Sequence, residues 1–478
     1  MERAIRIKMS KSKELAKNTV IMMIGKIFTQ FLSFFLLPVY TRYLPTEEYG
    51  AADLILTYIT LLTPVITVQQ EMATFRYLVD ARKDEKRKAK IITTSLESTL
   101  LRLLVFAMPV FVASFFISSS YISIVLLAGI FASLSHLFLQ IARGLGDNKK
   151  YTFGSVIAGV ITLASNLILI CLLRFGGESI LISMALGNLG CALYLFLTLK
   201  IPAYLKAASS DDKLKKSMLK YSWPLVPNGI SWWLINASDR TIVSAFLGVA
   251  ANGIYAVATK IPSIISGFLG IFTLSWTESA SLHINDPDRD EFFSSVARNI
   301  VKIFSSLSIL VIAVMPFVFD IIIGADYRKA YNYIPIAILG VFFNCMVSVY
   351  SAIYVAKKLT KKVAMTSFLS AVINIVADLG LIHFIGLYAA VISTAIAFLV
   401  MTIYRHFDVK KYVRIKYKPT DLILAILGFS VITFLYYLSG SIAHVLALLL
   451  AFVLSIFLNR ALFDSLFHKI APTLKRDS

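Results

Sequence analysis

About fourteen apolar stretches of roughly twenty residues follow one another along the chain, each long enough to cross a bilayer as a helix. They are expected at 18–40, 50–75, 91–117, 121–142, 151–173, 179–199, 221–248, 252–277, 293–318, 331–356, 361–383, 386–404, 420–438 and 441–459. So many spans take up most of the 478 residues. The loops left between them average about a dozen residues, too short to form a soluble catalytic domain. The runs are continuously apolar rather than alternating, which excludes an outer-membrane barrel. Composition agrees, with 58% of residues hydrophobic and only 15% charged, where soluble domains carry about a quarter charged. The expected fold is an all-α polytopic membrane protein.

Lys and Arg number 47 against 27 Asp and Glu, a formal net charge of +20. In a soluble chain that excess would suggest nucleic acid, but the cations lie where a membrane protein puts them. With the N-terminus in the cytoplasm, 39 of the 47 fall in inner segments and inner span ends, four (Arg42, Arg174, Arg328 and Lys329) at outer ends, and four inside spans. This asymmetry follows the positive-inside rule and gives an N-in, C-in topology in a bacterial-type cytoplasmic membrane, with no nucleic-acid partner. The first seventeen residues are basic and polar, and the apolar run after them lacks a small-residue cleavage site, so it reads as a retained first span. Cys171, Cys191 and Cys345 lie in apolar stretches without paired spacing, which indicates neither a disulfide framework nor a metal site.

The chain also repeats itself. Leu44 and Gly50, at the turn after span 1, are matched by Leu247 and Gly253 after span 7. Lys149-Lys150 precede Asn166 in span 5 as Lys361-Lys362 precede Asp378 in span 11, by the same sixteen residues. Both matches step by six spans, and an even step makes the repeats parallel, related by an axis along the membrane normal. The expected organisation is a basic cytoplasmic N-terminus (1–17), an N-lobe of spans 1 to 6 (18–200), a cytoplasmic linker (201–220) and a C-lobe of spans 7 to 12 (221–404). A basic cytoplasmic loop (405–419) and spans 13 and 14 with a cytoplasmic tail (420–478) complete it. Two like lobes around a central cavity suit a transporter, and no GxxxxGK[ST] loop is present to hold ATP.

Charges inside spans cost about 2.5 to 3.5 kcal/mol each on insertion scales and default to the bundle interior. Four are cations: Lys26 in span 1, Arg102 in span 3, Arg240 in span 7 and Lys260 in span 8. The last two each lie about eight residues below one outer turn, roughly 12 Å deep at the helical rise. Cations at several depths suit an anionic substrate group, although Lys26 and Lys260 could instead snorkel, Arg240 could tie helices, and Arg102 could pair with Glu97 a turn away. Asp53 and Glu71, at the two ends of span 2, are expected to be solvated. Asp239 and Asp378 are deeper, candidates either for a coupling-ion site or for helix-to-helix hydrogen bonds. Trp232 and Trp233 fall mid-span in a helix opened by Pro224, Pro227 and Gly229. They suit stacking on sugar rings, lining an isoprenoid path, or plain packing. Trp223 and Trp276 are expected at the interfacial belt.

The run Leu37-Pro38-Val39-Tyr40-Thr41-Arg42-Tyr43-Leu44-Pro45-Thr46-Glu47-Glu48-Tyr49-Gly50, followed by Asp53-Leu54 and Phe75-Arg76-Tyr77, resembles the opening of bacterial polysaccharide transporter proteins. These are the lipid-linked oligosaccharide flippases of the multidrug, oligosaccharidyl-lipid and polysaccharide exporter superfamily. The resemblance implies two six-helix lobes and export of an undecaprenyl-diphosphate-linked repeat unit from the inner to the outer leaflet. It assigns Lys26 the role of the basic residue that the family carries in span 1. It also implies membrane lipids, a polysaccharide polymerase and the chain-length machinery as partners. Leu44-Pro45 stands where Leu-Gly is commoner, and fourteen spans rather than twelve are shared with lipid II flippases, so the peptidoglycan precursor stays open as substrate. An ion-coupled multidrug antiporter and a membrane polymerase or ligase are the competing readings. The last lacks a suitable outer loop, since 319–330 offers Asp320, Asp326, Arg328 and Lys329 without a partner loop. No enzymatic activity and no cofactor are expected beyond coupling to H⁺ or Na⁺.

Overall fold

The computed structural model describes residues 34–114 and 120–460, a few side chains excepted. Every regular element is helical, and no strand occurs among the described residues. Twelve of the described helices are long and apolar enough to cross a membrane. The chain forms two compact units, Met1–Thr241 and Ile242–Ser478, the division falling inside a helix.

The first unit contains α1 (Leu37–Tyr43), α2 (Thr46–Ile66), α3 (Gln70–Asp80), α4 (Glu85–Ser114), α5 (Ser120–Leu145), α6 (Asn148–Asn166), α7 (Glu178–Thr198), the short α8 (Ile201–Ala207) and α9 (Asp212–Ser222). It also holds most of α10 (Leu225–Leu247), which occupies the place of the seventh expected span. The first expected span, 18–40, falls mostly outside the described residues. The second unit runs through α11 (Val249–His283), α12 (Arg289–Ile322), α13 (Ile334–Ala356), α14 (Thr360–Ile385), α15 (Tyr388–Val409), α16 (Pro419–Tyr437) and α17 (Ser441–Leu458).

The second expected span, 50–75, is not one helix. Pro64, lacking an N–H, ends the regular ladder of α2 at Ile66, and Val68 and Gln69 take left-handed φ values of 53° and 50° before α3 begins. A β-branched residue adopts that conformation only when its surroundings over-determine it. Here they do, since the Gln69 side-chain amide donates to the Leu225 carbonyl at 3.0 Å, and Arg102 donates to the Thr67 carbonyl at 2.8 Å.

Small residues let the helices of the first unit approach closely. A Cβ added at Gly187 on α7 would run into the Thr162 hydroxyl and stand 2.6 Å from the Ala158 carbonyl on α6. Both neighbours belong to a rigid helix, so the contact needs glycine. Gly187→Ala is therefore expected to cost about 1 to 3 kcal/mol by overpacking. A thermal-unfolding series in detergent, with Gly129→Ala as the control because its Cβ would meet nothing within 4 Å, checks this. Further in, α3, α4, α5, α7 and α9 bury a shared cluster that includes Leu78, Ile91, Leu137, Cys191, Leu195 and Met218. At the cytoplasmic end of the expected topology, Asp211 caps α9. Bonds from the Leu214 N–H and the Lys90 ammonium hold its carboxyl below the usual carboxylate range.

Trp276, expected at the interfacial belt, is instead buried. It packs against Phe272, Phe292 and Phe293 and donates to the Val349 carbonyl at 3.2 Å. The indole N–H finds a partner inside the helix packing, which removes the reason to sit at a headgroup. Trp223 is exposed, as a belt residue would be.

Candidate functional site

Four contacts stitch α10 to α2 and the break that follows it, all within the first unit. The Nε of Arg240 meets the Asp53 carboxylate at 2.7 Å, with 21% and 19% of the two side chains exposed. Trp233 donates its indole N–H to the Thr57 carbonyl at 2.9 Å, and the Tyr58 hydroxyl lies 3.1 Å from the Thr241 hydroxyl. Gln69 closes the series on Leu225. The antiparallel run of the two helices sets the order of the Asp53–Arg240, Thr57–Trp233 and Gln69–Leu225 contacts, and Tyr58 reaches back along α10 to Thr241. Asp53, expected to be solvated near the start of span 2, is thus largely covered, because α10 lies along the face it occupies.

Arg102 is equally committed. Its guanidinium donates to the Thr67 carbonyl at 2.8 Å and to the Gln70 side-chain oxygen at 3.1 Å, while Glu71 receives the Thr67 hydroxyl at 3.0 Å. The break in span 2 frees a carbonyl inside the membrane, and the cation satisfies it. Glu97, considered from sequence as its partner, is exposed and does not fill that role.

The remaining candidates are distributed across both units. Asp239 is buried on α10 and Asp378 on α14. Lys260 is partly buried on α11 in the second unit. Trp232 belongs to α10, with its side chain outside the described ones, and Lys26 lies outside the described residues. The structure therefore brings Arg240 and Trp233 together on α2, and seats Arg102 at the other end of that helix, on the break after it.

Sequence reasoning missed a second polar centre. Arg405, placed from sequence in the cytoplasmic loop 405–419, lies on α15, which runs on to Val409, and only 1% of it is exposed. It donates to the Thr366 hydroxyl at 3.0 and 2.6 Å, to the Ser367 hydroxyl at 3.2 Å, to the Val363 carbonyl at 3.3 Å and to the Ser351 hydroxyl. One turn on, Asp408 takes Lys362 at 2.7 Å, Lys411 at 3.0 Å and the Tyr354 hydroxyl at 2.8 Å. The signal was available: Arg405 and Asp408 stand three apart, on one helical face continuous with the apolar run before them.

Twelve apolar helices with polar centres held inside each unit make this a polytopic membrane protein, and its fold is shared with transporters of the multidrug, oligosaccharidyl-lipid and polysaccharide exporter (MOP) superfamily. The lipid II flippase MurJ, in an inward closed conformation, has the same fold, with a TM-score of 0.71 at 16% identity, covering 94% of this chain and 100% of that one. An inward-facing multidrug resistance MATE family transporter of the MOP superfamily matches at a TM-score of 0.66 and 14% identity, over 80% of this chain and 95% of that one. A MOP superfamily transporter from Pyrococcus furiosus, described as having a binding pocket of reversed polarity, matches at 0.52 and 13% identity, over 83% of this chain and 96% of that one. No curated protein matches the sequence. The chain belongs to the polysaccharide biosynthesis protein family, whose model matches residues 15–276, more than half of its length.

Proposed function

We propose that the protein is a flippase that carries undecaprenyl-diphosphate-linked oligosaccharide repeat units from the inner to the outer leaflet of a bacterial cytoplasmic membrane by alternating access. The observation that carries this reading is membership of the polysaccharide biosynthesis family, and the cations within the spans support it. Lys26, Arg102, Arg240 and Lys260 are the groups assigned to the diphosphate, and Trp232 and Trp233 to the sugar or the isoprenoid. Cells lacking the protein are expected to accumulate lipid-linked repeat units in the inner leaflet and to lose the surface polymer. Unchanged polymer with no accumulation would remove the reading. A second reading, flipping of the peptidoglycan precursor, is favoured by the near full-length likeness to the lipid II flippase. It expects lysis of the depleted cells rather than loss of a polymer.

An undecaprenyl diphosphate carries about two negative charges. With the cytoplasm negative, outward movement is favoured by about 2.3 kcal/mol per charge per 100 mV, roughly 4.6 in total. Return of the empty carrier is the step that needs help. Asp239 and Asp378 are assigned to binding H⁺ or Na⁺ in one conformation only, which ties ion entry to that reset. Collapsing the membrane potential with an ionophore is expected to stop export. Asn at the coupling aspartate is expected to make export insensitive to the ion gradient while leaving lipid binding intact. Continued accumulation in liposomes with neither potential nor gradient imposed would discard the coupling.

A further inference from the structure

We propose that the end of the second unit formed by α12, the turn that follows it, α16 and α17 carries a binding site for the phosphate headgroup of an anionic outer-leaflet lipid. A cup of about 670 Å³ opens there, lined among others by Asp320, Arg328, Lys329, Tyr331, Tyr436 and Tyr437. Its cations are rare ones. In the expected topology four of the 47 Lys and Arg fall at outer ends, and two of those four, Arg328 and Lys329, are adjacent and line this cup.

The cup is built rigidly. Residues Ala325–Tyr333 form a tight 3₁₀ turn between α12 and α13, and the α16–α17 hairpin is fastened to it. The Tyr436 hydroxyl donates to the Tyr331 carbonyl at 2.7 Å, and the Tyr437 hydroxyl to the Asn332 carbonyl at 2.6 Å. The Tyr331 and Tyr436 rings stack 4.1 Å apart at 12°. Because those hydroxyls are spent on the backbone, the rings present an apolar wall to the cup. The acid nearest Arg328 is Asp320, 3.8 Å away, beyond hydrogen-bond length, with both side chains about three-quarters exposed. Lys329 makes no ion pair among the described residues. The cup therefore holds two cations against one carboxylate, which pairs loosely with Arg328 and leaves the guanidinium fork without a bidentate partner.

A lipid is favoured over a free anion by what borders the cup. Ile321 at the end of α12 and Ile442 and Val445 at the start of α17 are 66%, 80% and 45% exposed. Each lies within two residues of cup-lining Asp320 or His444 and supplies exposed apolar surface suited to acyl or polyprenyl chains. A headgroup among the cations would leave its tail along that strip.

The test titrates the purified full-length protein in detergent with dioleoyl phosphatidylglycerol and counts bound lipid by native mass spectrometry. At about 1 kcal/mol per surface cation, Arg328→Gln with Lys329→Gln is expected to weaken binding about thirtyfold. Arg328→Lys with Lys329→Arg keeps both charges and is expected to stay within about threefold. Undecaprenyl phosphate is expected to compete for the same site. Equal binding of phosphatidylcholine, or unchanged binding in the Gln pair, would overturn the proposal. So would displacement of the lipid by millimolar inorganic phosphate, since that would assign the cup to the free ion.

Discussion

Arg240→Ala is expected to abolish polymer export at normal protein levels, and Arg240→Lys to recover part of it. The guanidinium Nε lies 2.7 Å from the Asp53 carboxylate in a site only about one-fifth exposed. A diphosphate carrying about two charges can displace a single carboxylate there, because one close pair at an effective dielectric near 20 is worth about 4 kcal/mol. Lysine keeps the charge and loses the bidentate fork, hence the partial rescue. Removing Arg240 also removes a helix tie, at a cost of about 2 to 4 kcal/mol, so stability has to be measured alongside export. The pair Asp53→Arg with Arg240→Asp separates the two roles: it is expected to restore the melting temperature of the single variants while leaving export lost. Full export by Arg240→Ala would reduce the contact to a structural tie. Lys260→Ala, in the second unit, is expected to lose export as well.

The largest loss of stability is expected from Arg405→Ala. The side chain fills a fully buried position and serves Ser351, Val363, Thr366 and Ser367 together. Truncation leaves a cavity and takes the donors from several acceptors at once, about 4 kcal/mol in sum. At a typical margin of 5 to 15 kcal/mol, that loss should appear as a sharp fall in folded protein recovered from membranes. Arg405→Lys retains the charge but reaches fewer of the acceptors, and an intermediate yield is expected. Wild-type yield and melting temperature for Arg405→Ala would show that the neighbouring hydroxyls can satisfy one another without it.

Much of this was legible in the residues because a bilayer leaves few choices. Span positions follow from apolar run length, and the expected spans from 91 onward each fall on a helix of the structure. What the sequence hid was the irregular backbone. No glycine marks the break at Val68 and Gln69; Pro64 is the one local signal, and the conformation is held by Gln69 and Arg102 from distant segments. Arg405 was lost for a related reason. Apolar run length ends span 12 at residue 404, yet α15 continues because its next polar residues are buried against α13 and α14 rather than in water. Asp53 was misjudged in the same way, since hydropathy registers depth along a helix and not which neighbour covers its face.

Transport in reconstituted liposomes tests the central claim most directly. A fluorescent undecaprenyl-diphosphate oligosaccharide, loaded on one leaflet with a membrane potential imposed, is followed by its accessibility to an impermeant quencher. The account predicts rapid transbilayer movement with the wild-type protein, none above protein-free vesicles with Arg240→Ala, and no transport of a lipophilic cation by either. Movement of the lipid that does not differ between the wild type and Arg240→Ala, or uptake of the cation in place of the lipid, would contradict it.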